Sequence, residues 1–317
     1  MVDTVNKIQQ KTKKEKRKKI MREIVRDRQL YFMLIPFVIY YLLFYYMPMY
    51  GLQIAFKDYK PFVGITDSKW VGFEHFINFL TGPYAWRVIK NTLLINVRVL
   101  AINFPLTIVF ALLINEITHK KLKSLVQTVT YMPHFISAVV VAGLVISMLS
   151  PTAGVVNLII QKLGGEKIYF LSKPEYFRTI FQLTGLWQNI GYNTIIYTSA
   201  ICAIDQSLYE AAECDGAGRL RKMFHITLPG IASTIIIMFI MKVGSILAVG
   251  SDMILLLYQP ITYETADVIS TFVYRNGIEG GDYSFASAVG LFNSIVGMLM
   301  VFITNAISKK VSETSLW

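Results

Sequence analysis

Long apolar stretches alternate with short, cation-rich polar segments along this 317-residue chain. A stretch of roughly 20 apolar residues is needed to cross a hydrocarbon layer about 30 Å thick. Six stretches meet that length, near 30–50, 92–114, 125–149, 180–204, 231–257 and 286–307, and each is expected to form one membrane-spanning helix. The pattern predicts an all-α polytopic membrane protein with a single transmembrane domain over 30–307 and tails at 1–29 and 308–317. Pro36, Pro48, Pro105 and Pro133 lie in or beside these stretches and are expected to mark kinks or helix ends. Gly143, Gly191, Gly244, Gly250 and Gly297 are expected to let helices approach closely. Phe73, Phe76 and Phe79 recur every three residues and predict a short helix between the first two spans.

Composition and charge add an orientation. Hydrophobic residues make up 54% of the chain and the mean hydropathy is +0.49, too apolar for a soluble protein of this length. Lys and Arg crowd residues 7–28, then recur as Lys120, Lys121 and Lys123, as Arg219, Arg221 and Lys222, and as Lys309 and Lys310. With an even number of spans these four blocks share one side, which the positive-inside rule makes the cytoplasm. Both termini are thus expected to be cytoplasmic. The net charge of +11 then serves topology and contact with anionic lipid headgroups, not nucleic acid. Ile20, Met21, Ile24 and Val25 recur at helical spacing within the basic tail and predict an interfacial elbow helix. The long basic region and full-length first span read as a retained anchor, not a cleaved signal peptide.

One polar stretch on the cytoplasmic side, 205–230, has a design of its own. Leu208, Ala211 and Ala212 fall at i, i+3 and i+4, and so do Leu220, Met223 and Phe224, which predicts two short helices with one apolar face each. Asp215-Gly216 is a turn signal between them, followed by Ala217 and Arg219. Small Ala side chains admit a close surface, Glu210 can meet a basic group, and Pro229 closes the unit before the next span. The stretch reads as a protruding knob.

The arrangement Glu210-Ala211-Ala212, Asp215-Gly216-Ala217, Phe224, Ile226, Leu228-Pro229 resembles the EAA loop of permease subunits in ABC-type importers. The resemblance extends over nearly the whole chain. Tyr46-x-Pro48-x-Tyr50-Gly51, Ala55-Phe56-Lys57-Asp58-Tyr59, Trp70-Val71-Gly72 and Phe76 are similar to the first external loop of the LplB-like carbohydrate permeases. Asn91-Thr92, Tyr131-Met132-Pro133-His134, Asp267-Val268 with Thr271, and Asp282-Tyr283-Ser284 fit the same subfamily. It implies the type I importer (MetI-like) fold in a bacterial cell membrane. The partners it implies are a second, non-identical permease, an ABC ATPase dimer docked on the knob, and an extracytoplasmic solute-binding protein carrying a carbohydrate, expected to be an oligosaccharide. ATP and Mg would be used by the ATPase; this chain binds no cofactor in that scheme.

The residues themselves offer no catalytic constellation. Cys202 and Cys214 lie near the cytoplasmic end of the fourth span, where a disulfide is not expected. His75, His119, His134 and His225 are scattered, without metal-ligand spacing, and there is no Walker A sequence. Polar groups within the spans are costly and mark a cavity or a helix contact. Trp187, Gln188, Asn189, Tyr192 and Asn193 in the fourth span, Lys242 and Asp252 in the fifth and Asn293 in the sixth are therefore candidate substrate-pathway residues, with Arg98 equally ambiguous. Aromatic faces suit sugar rings and amides suit their hydroxyls. The other reading, amides gluing helices and Trp or Tyr at the interface, stays open. Ten residues apart on a continuous helix, Lys242 and Asp252 would be nearly three turns distant and unable to pair. An importer for peptides or other solutes and a polytopic membrane enzyme are the competing functions. A channel or secondary carrier would leave the knob unexplained.

Overall fold

A computed structural model describes residues 25–247 and 250–312, so most of the basic tail, with the expected elbow helix, and the last five residues lie outside the described part. Of the described residues, one compact unit comprises 25–54 with Tyr59–Lys69; the other comprises Ala55–Asp58 and those from Trp70 to Ser312. The first contains nearly all of α1 (Arg28–Phe56), an apolar helix long enough to span a bilayer. Pro36 sits inside α1 without ending it. Before Pro48 the helix widens into a π-turn, Leu42–Tyr46, and it finishes as a 3₁₀ segment, Tyr50–Phe56.

The second unit is a helical bundle. Its elements are α2 (Glu74–Thr81), α3 (Ala85–Asn115), α4 (Lys120–Phe135), α5 (Ala138–Leu149), α6 (Val155–Lys162), α7 (Pro174–Cys202), α8 (Gln206–Cys214), α9 (Arg219–Gly230), α10 (Ala232–Gly244), α11 (Ser251–Leu257), α12 (Tyr263–Ala266), α13 (Ile269–Val273) and α14 (Tyr283–Ser312). α2 carries the aromatic triplet: Phe79 is buried among Phe272, Phe285 and Phe292, while Phe76 and Phe73 gather with Trp70 around Phe56.

Among the described residues, α1, α3 and α14 are each long and apolar enough to cross a membrane, and counting two bent pairs as spans raises the number to five. α7, at 29 residues, is long enough, but Gln182, Gln188, Asn189 and Asn193 dilute its apolar character. Two expected continuous spans are broken. The third divides into α4 and α5 at a 99° bend after Pro133, with Ser137 capping the new helix. The fifth stops at Gly244 and resumes at Ser251, and its beginning turns 59° from α9. Pro105 lies inside α3 without ending it.

Close helix approach is confined to particular glycines. A Cβ on Gly191 would collide with the main-chain carbonyl of Thr130, and one on Gly244 with Val301, while Gly297 faces the Gly244 carbonyl. Gly143 and Gly250 have open space around them and do not serve that purpose. Three apolar clusters stabilise the bundle. Ile95, Ala142, Phe177, Ile254 and Val268 form one; Val88, Leu247, Ile269, Phe272 and Val289 form a second. The third joins Ile108, Ala111 and Leu112 of α3 to Tyr197 and Ile201 of α7 and to Met223 and Ile231.

Candidate functional site

The knob is a helical hairpin whose turn is fixed by its main chain. Asp205 caps α8 by accepting from the Ser207 amide at 3.0 Å, a bond that holds its carboxyl below the ordinary aspartate value. At the other end Gly216 adopts φ 70°. The Ala217 amide donates to the Ala212 carbonyl at 2.8 Å and the Gly216 amide to Glu213 at 3.0 Å. This is a Schellman stop, which needs a left-handed residue at position 216. Lys222 then reaches back across the turn to Glu213, 2.6 Å away. Tyr209 and Thr227 close the base of the hairpin through a hydroxyl contact of 2.9 Å.

The two expected apolar faces diverge in what they touch. Met223 is buried and packs into the α3–α7 cluster, so it roots the hairpin in the bundle. Leu208, Leu220 and Phe224 stay largely exposed, as do Glu210, Ala211, Asp215 and Arg219, while Ala212 and Ala217 are half-buried. The result is an apolar and charged outer surface on a rigid turn.

Beyond that root, α3, α7 and the α10 region enclose a cavity of about 390 Å³. Its polar lining comes from Asn96, Asn103 and Thr107 on α3, from Gln182, Asn189 and Asn193 on α7, and from Lys242 and Ser245. Both helices present their polar residues at i, i+7 and i+11, which places each set on one face. Several amides are fixed by the protein itself. Asn96 Nδ2 donates to the Ile246 carbonyl at 2.6 Å, Asn189 Nδ2 to Gly185 at 3.0 Å, and Asn189 Oδ1 lies 2.9 Å from His134 Nδ1. Gln182 Nε2 is 3.4 Å from Asn103 Oδ1, but its own Oε1 is buried with no partner. Phe104 and Tyr197 line the cavity and also belong to, or pack on, the cluster that holds Met223. The cavity and the cluster that roots the hairpin therefore share side chains.

Of the eight expected pathway residues, Asn189, Asn193 and Lys242 line the cavity. The others do not. Gln188 Nε2 donates to the Ile136 carbonyl at 3.0 Å, tying α7 to the α4–α5 bend. Tyr192 stacks on His134 with centroids 3.7 Å apart. Trp187 is 48% exposed, Asp252 is exposed beside Ser251, and Asn293 Oδ1 is buried unpartnered away from the cavity. The helix between Lys242 and Asp252 is interrupted, so the helical-turn argument for their separation does not hold. Asn96, Asn103, Thr107 and Gln182 were not among the expected residues, although their spacing matches that of the α7 set. His134, given no role by the sequence, contacts both Asn189 and Tyr192.

The other end of α3 is held by charge. Asp267, fully buried, accepts from Arg87 at 2.8 Å and Arg275 at 2.9 Å through Oδ2 and from Thr271 at 3.0 Å through Oδ1. Asn91 Nδ2 donates to the main-chain oxygens of Glu264 and Asp267, and Arg178 donates to Asn91 Oδ1 at 2.8 Å. Arg98, ambiguous in sequence, bonds Thr179 at 3.1 Å. α3 thus carries a charged clamp, then the cavity stripe, then the hairpin root, in that order.

Residues 103–313 match the family described as binding-protein-dependent transport system inner membrane component. The chain belongs to this family. Members of the binding-protein-dependent transport family are membrane transport components, not enzymes, and this chain is accordingly a multi-pass membrane protein. It is 45% identical over 305 residues to the polygalacturonan/rhamnogalacturonan transport system permease protein YteP of Bacillus subtilis, covering 96% of this chain and 95% of that one. Protein LplB of the same organism is 41% identical over 297 residues, covering 94% and 93%. The chain also superposes, with TM-score 0.85 and 44% identity, on a chain from a bacterial ABC transporter involved in the import of the acidic polysaccharide alginate, covering 93% of this chain and 99% of that one. A second structure of equal similarity is the bacterial alginate ABC transporter in complex with an alginate pentasaccharide-bound periplasmic protein. The fold is that of a type I ABC importer permease.

Proposed function

We propose that this chain forms half of the translocation pathway of an ATP-driven importer for an oligosaccharide, beside a second, non-identical permease. An extracytoplasmic solute-binding protein delivers the sugar, and a separate ABC ATPase dimer, using ATP and Mg, docks on the cytoplasmic hairpin around Glu210, Gly216 and Phe224. Both termini face the cytoplasm.

The observation that carries this reading is the continuity from the hairpin to the cavity. Closure of an ATPase dimer pressing on the exposed Leu208, Leu220 and Phe224 would displace Met223. Met223 belongs to one packed cluster with Ile108, Leu112, Tyr197 and Ile201, so the motion passes to the two helices whose polar stripes line the cavity. Interlocked cores move as units and do not deform continuously, which converts a push at one end into a change of access at the other. The cavity's amides and the rings of Phe104, Phe181 and Tyr197 suit sugar hydroxyls and ring faces. The carbohydrate names of the relatives favour sugar over peptide.

The test is purification of the tagged chain from native membranes. Recovery of an ATPase, a second permease and a binding protein, with ATPase activity stimulated by the sugar-loaded binding protein, is expected. Glu210→Lys should weaken recovery of the ATPase. An eluate without any nucleotide-binding partner would defeat the proposal.

A further inference from the structure

Lys242 is the charged side chain in the cavity lining; every other described lining residue is neutral. It stands between Met241 and Val243 in α10 and is exposed, so its ammonium is open to a solute entering the cavity. No ion pair among the described residues includes it. No Asp or Glu lines the cavity to neutralise it. Facing it are the two amide stripes, and among them Gln182, 4% exposed, holds a buried carbonyl oxygen with no donor. One wall of the cavity therefore lacks an anion and another lacks a hydroxyl donor. A sugar that carries a carboxylate supplies both.

We propose that Lys242 is the residue by which this cavity selects uronate-bearing oligosaccharides over neutral ones. The inference rests on the carbohydrate-permease reading above. The Lys242 ammonium pairs with a uronate carboxylate while Gln182 Oε1 and the asparagine amides bond ring hydroxyls. A charge-assisted bond is about twice as strong as a neutral one, so the preference is expected to be tenfold or more, on the order of what one such bond supplies.

The experiment uses the whole transporter, with its binding protein at saturation, in proteoliposomes. ATP-dependent uptake is measured for trisaccharides of galacturonate, mannuronate and guluronate and for each one's carboxyl-reduced, neutral counterpart. The same binding protein serves every variant, so its own preference cancels when variants are compared. Lys242→Gln should lower the acidic-to-neutral uptake ratio by about tenfold, mainly by slowing the acidic sugar. Lys242→Arg should restore most of the ratio. If Lys242→Gln slows both sugars alike and leaves the ratio unchanged, the lysine pairs with the second permease or with lipid and the proposal is overturned, while the permease reading stands. If wild-type vesicles accumulate none of these sugars, the carbohydrate reading falls and this inference with it.

Discussion

Lys222 Nζ lies 2.6 Å from Glu213 Oε1, bridging the two arms of the hairpin on either side of Gly216. The bond holds the Glu213 carboxyl below its ordinary value of 4.5. A carboxylate whose folded value is depressed contributes stability above its unfolded value and loses that contribution as pH falls through the folded one. The bridge is therefore intact at neutral pH and opens only below about pH 4.5. Because Glu213 is exposed, its share of global stability is small. Glu213→Gln should leave the melting temperature nearly unchanged while lowering ATPase affinity by a few-fold. A large drop in melting temperature would show that the bridge supports more than the local turn.

Gly216 has φ 70° and nothing within 4 Å of where a Cβ would stand. Substitution there meets no neighbour, only the backbone cost of the left-handed conformation, about 1–2 kcal/mol for an ordinary residue. Gly216→Val should loosen the turn and uncouple ATP hydrolysis from uptake. Gly216→Asn, which tolerates this conformation better, should retain most transport. Vesicle assays reading both activities decide the matter: equal transport by the Val and Asn variants would mean the turn geometry is not what couples them.

Asp267 is fully buried between Arg87 and Arg275. Asp267→Asn would leave two guanidiniums without their shared anion. Removing one member of a buried pair costs about 3–5 kcal/mol, and the partial exposure of both arginines reduces that to roughly 2–3 kcal/mol. The detergent-solubilised protein should melt several degrees lower, with Arg87→Gln milder because Arg275 and Thr271 still satisfy the carboxylate. An Asn variant as stable as the wild type would rule out the clamp.

These contacts show what the sequence could and could not reveal. The hairpin was legible because its signals are local: a turn at Asp215-Gly216 and apolar residues three and four apart. The cavity was half legible. The fourth span was read as a cluster of neighbouring polar residues, 187–193, yet neighbours on a helix point in different directions. The cavity face is Gln182, Asn189 and Asn193, and the same seven-plus-four spacing recurs in Asn96, Asn103 and Thr107 of the second span. Trp187, Gln188 and Tyr192 fall on other faces and meet other partners. The break in the third span was marked by Pro133, read as a kink or helix end, whereas the break in the fifth was hidden for a different reason. Hydropathy counts apolar residues without regard to direction, so the stop at Gly244 and the restart at Ser251 lie inside a stretch that scores as continuous.

Gly191 shows how tightly the cavity helix is held from behind. A Cβ at this position would strike the Thr130 carbonyl in α4, and main chain cannot swing aside as a side chain can. Overpacking of this kind typically costs about 1–3 kcal/mol. Two residues before Gly191, Asn189 is bonded to His134, and Tyr192, one residue after it, stacks on the same imidazole, so α4 fixes the rotation of α7 and hence the direction of its stripe. Gly191→Ala should therefore lower stability and also reduce uptake beyond what the stability loss explains, because rotating α7 turns Asn189 and Asn193 out of the cavity. His134→Ala, which removes the orienting contact without adding bulk, should reduce uptake with a smaller loss of stability. If His134→Ala transports at the wild-type rate, the contact is packing alone and Asn189 does not need it to face the sugar.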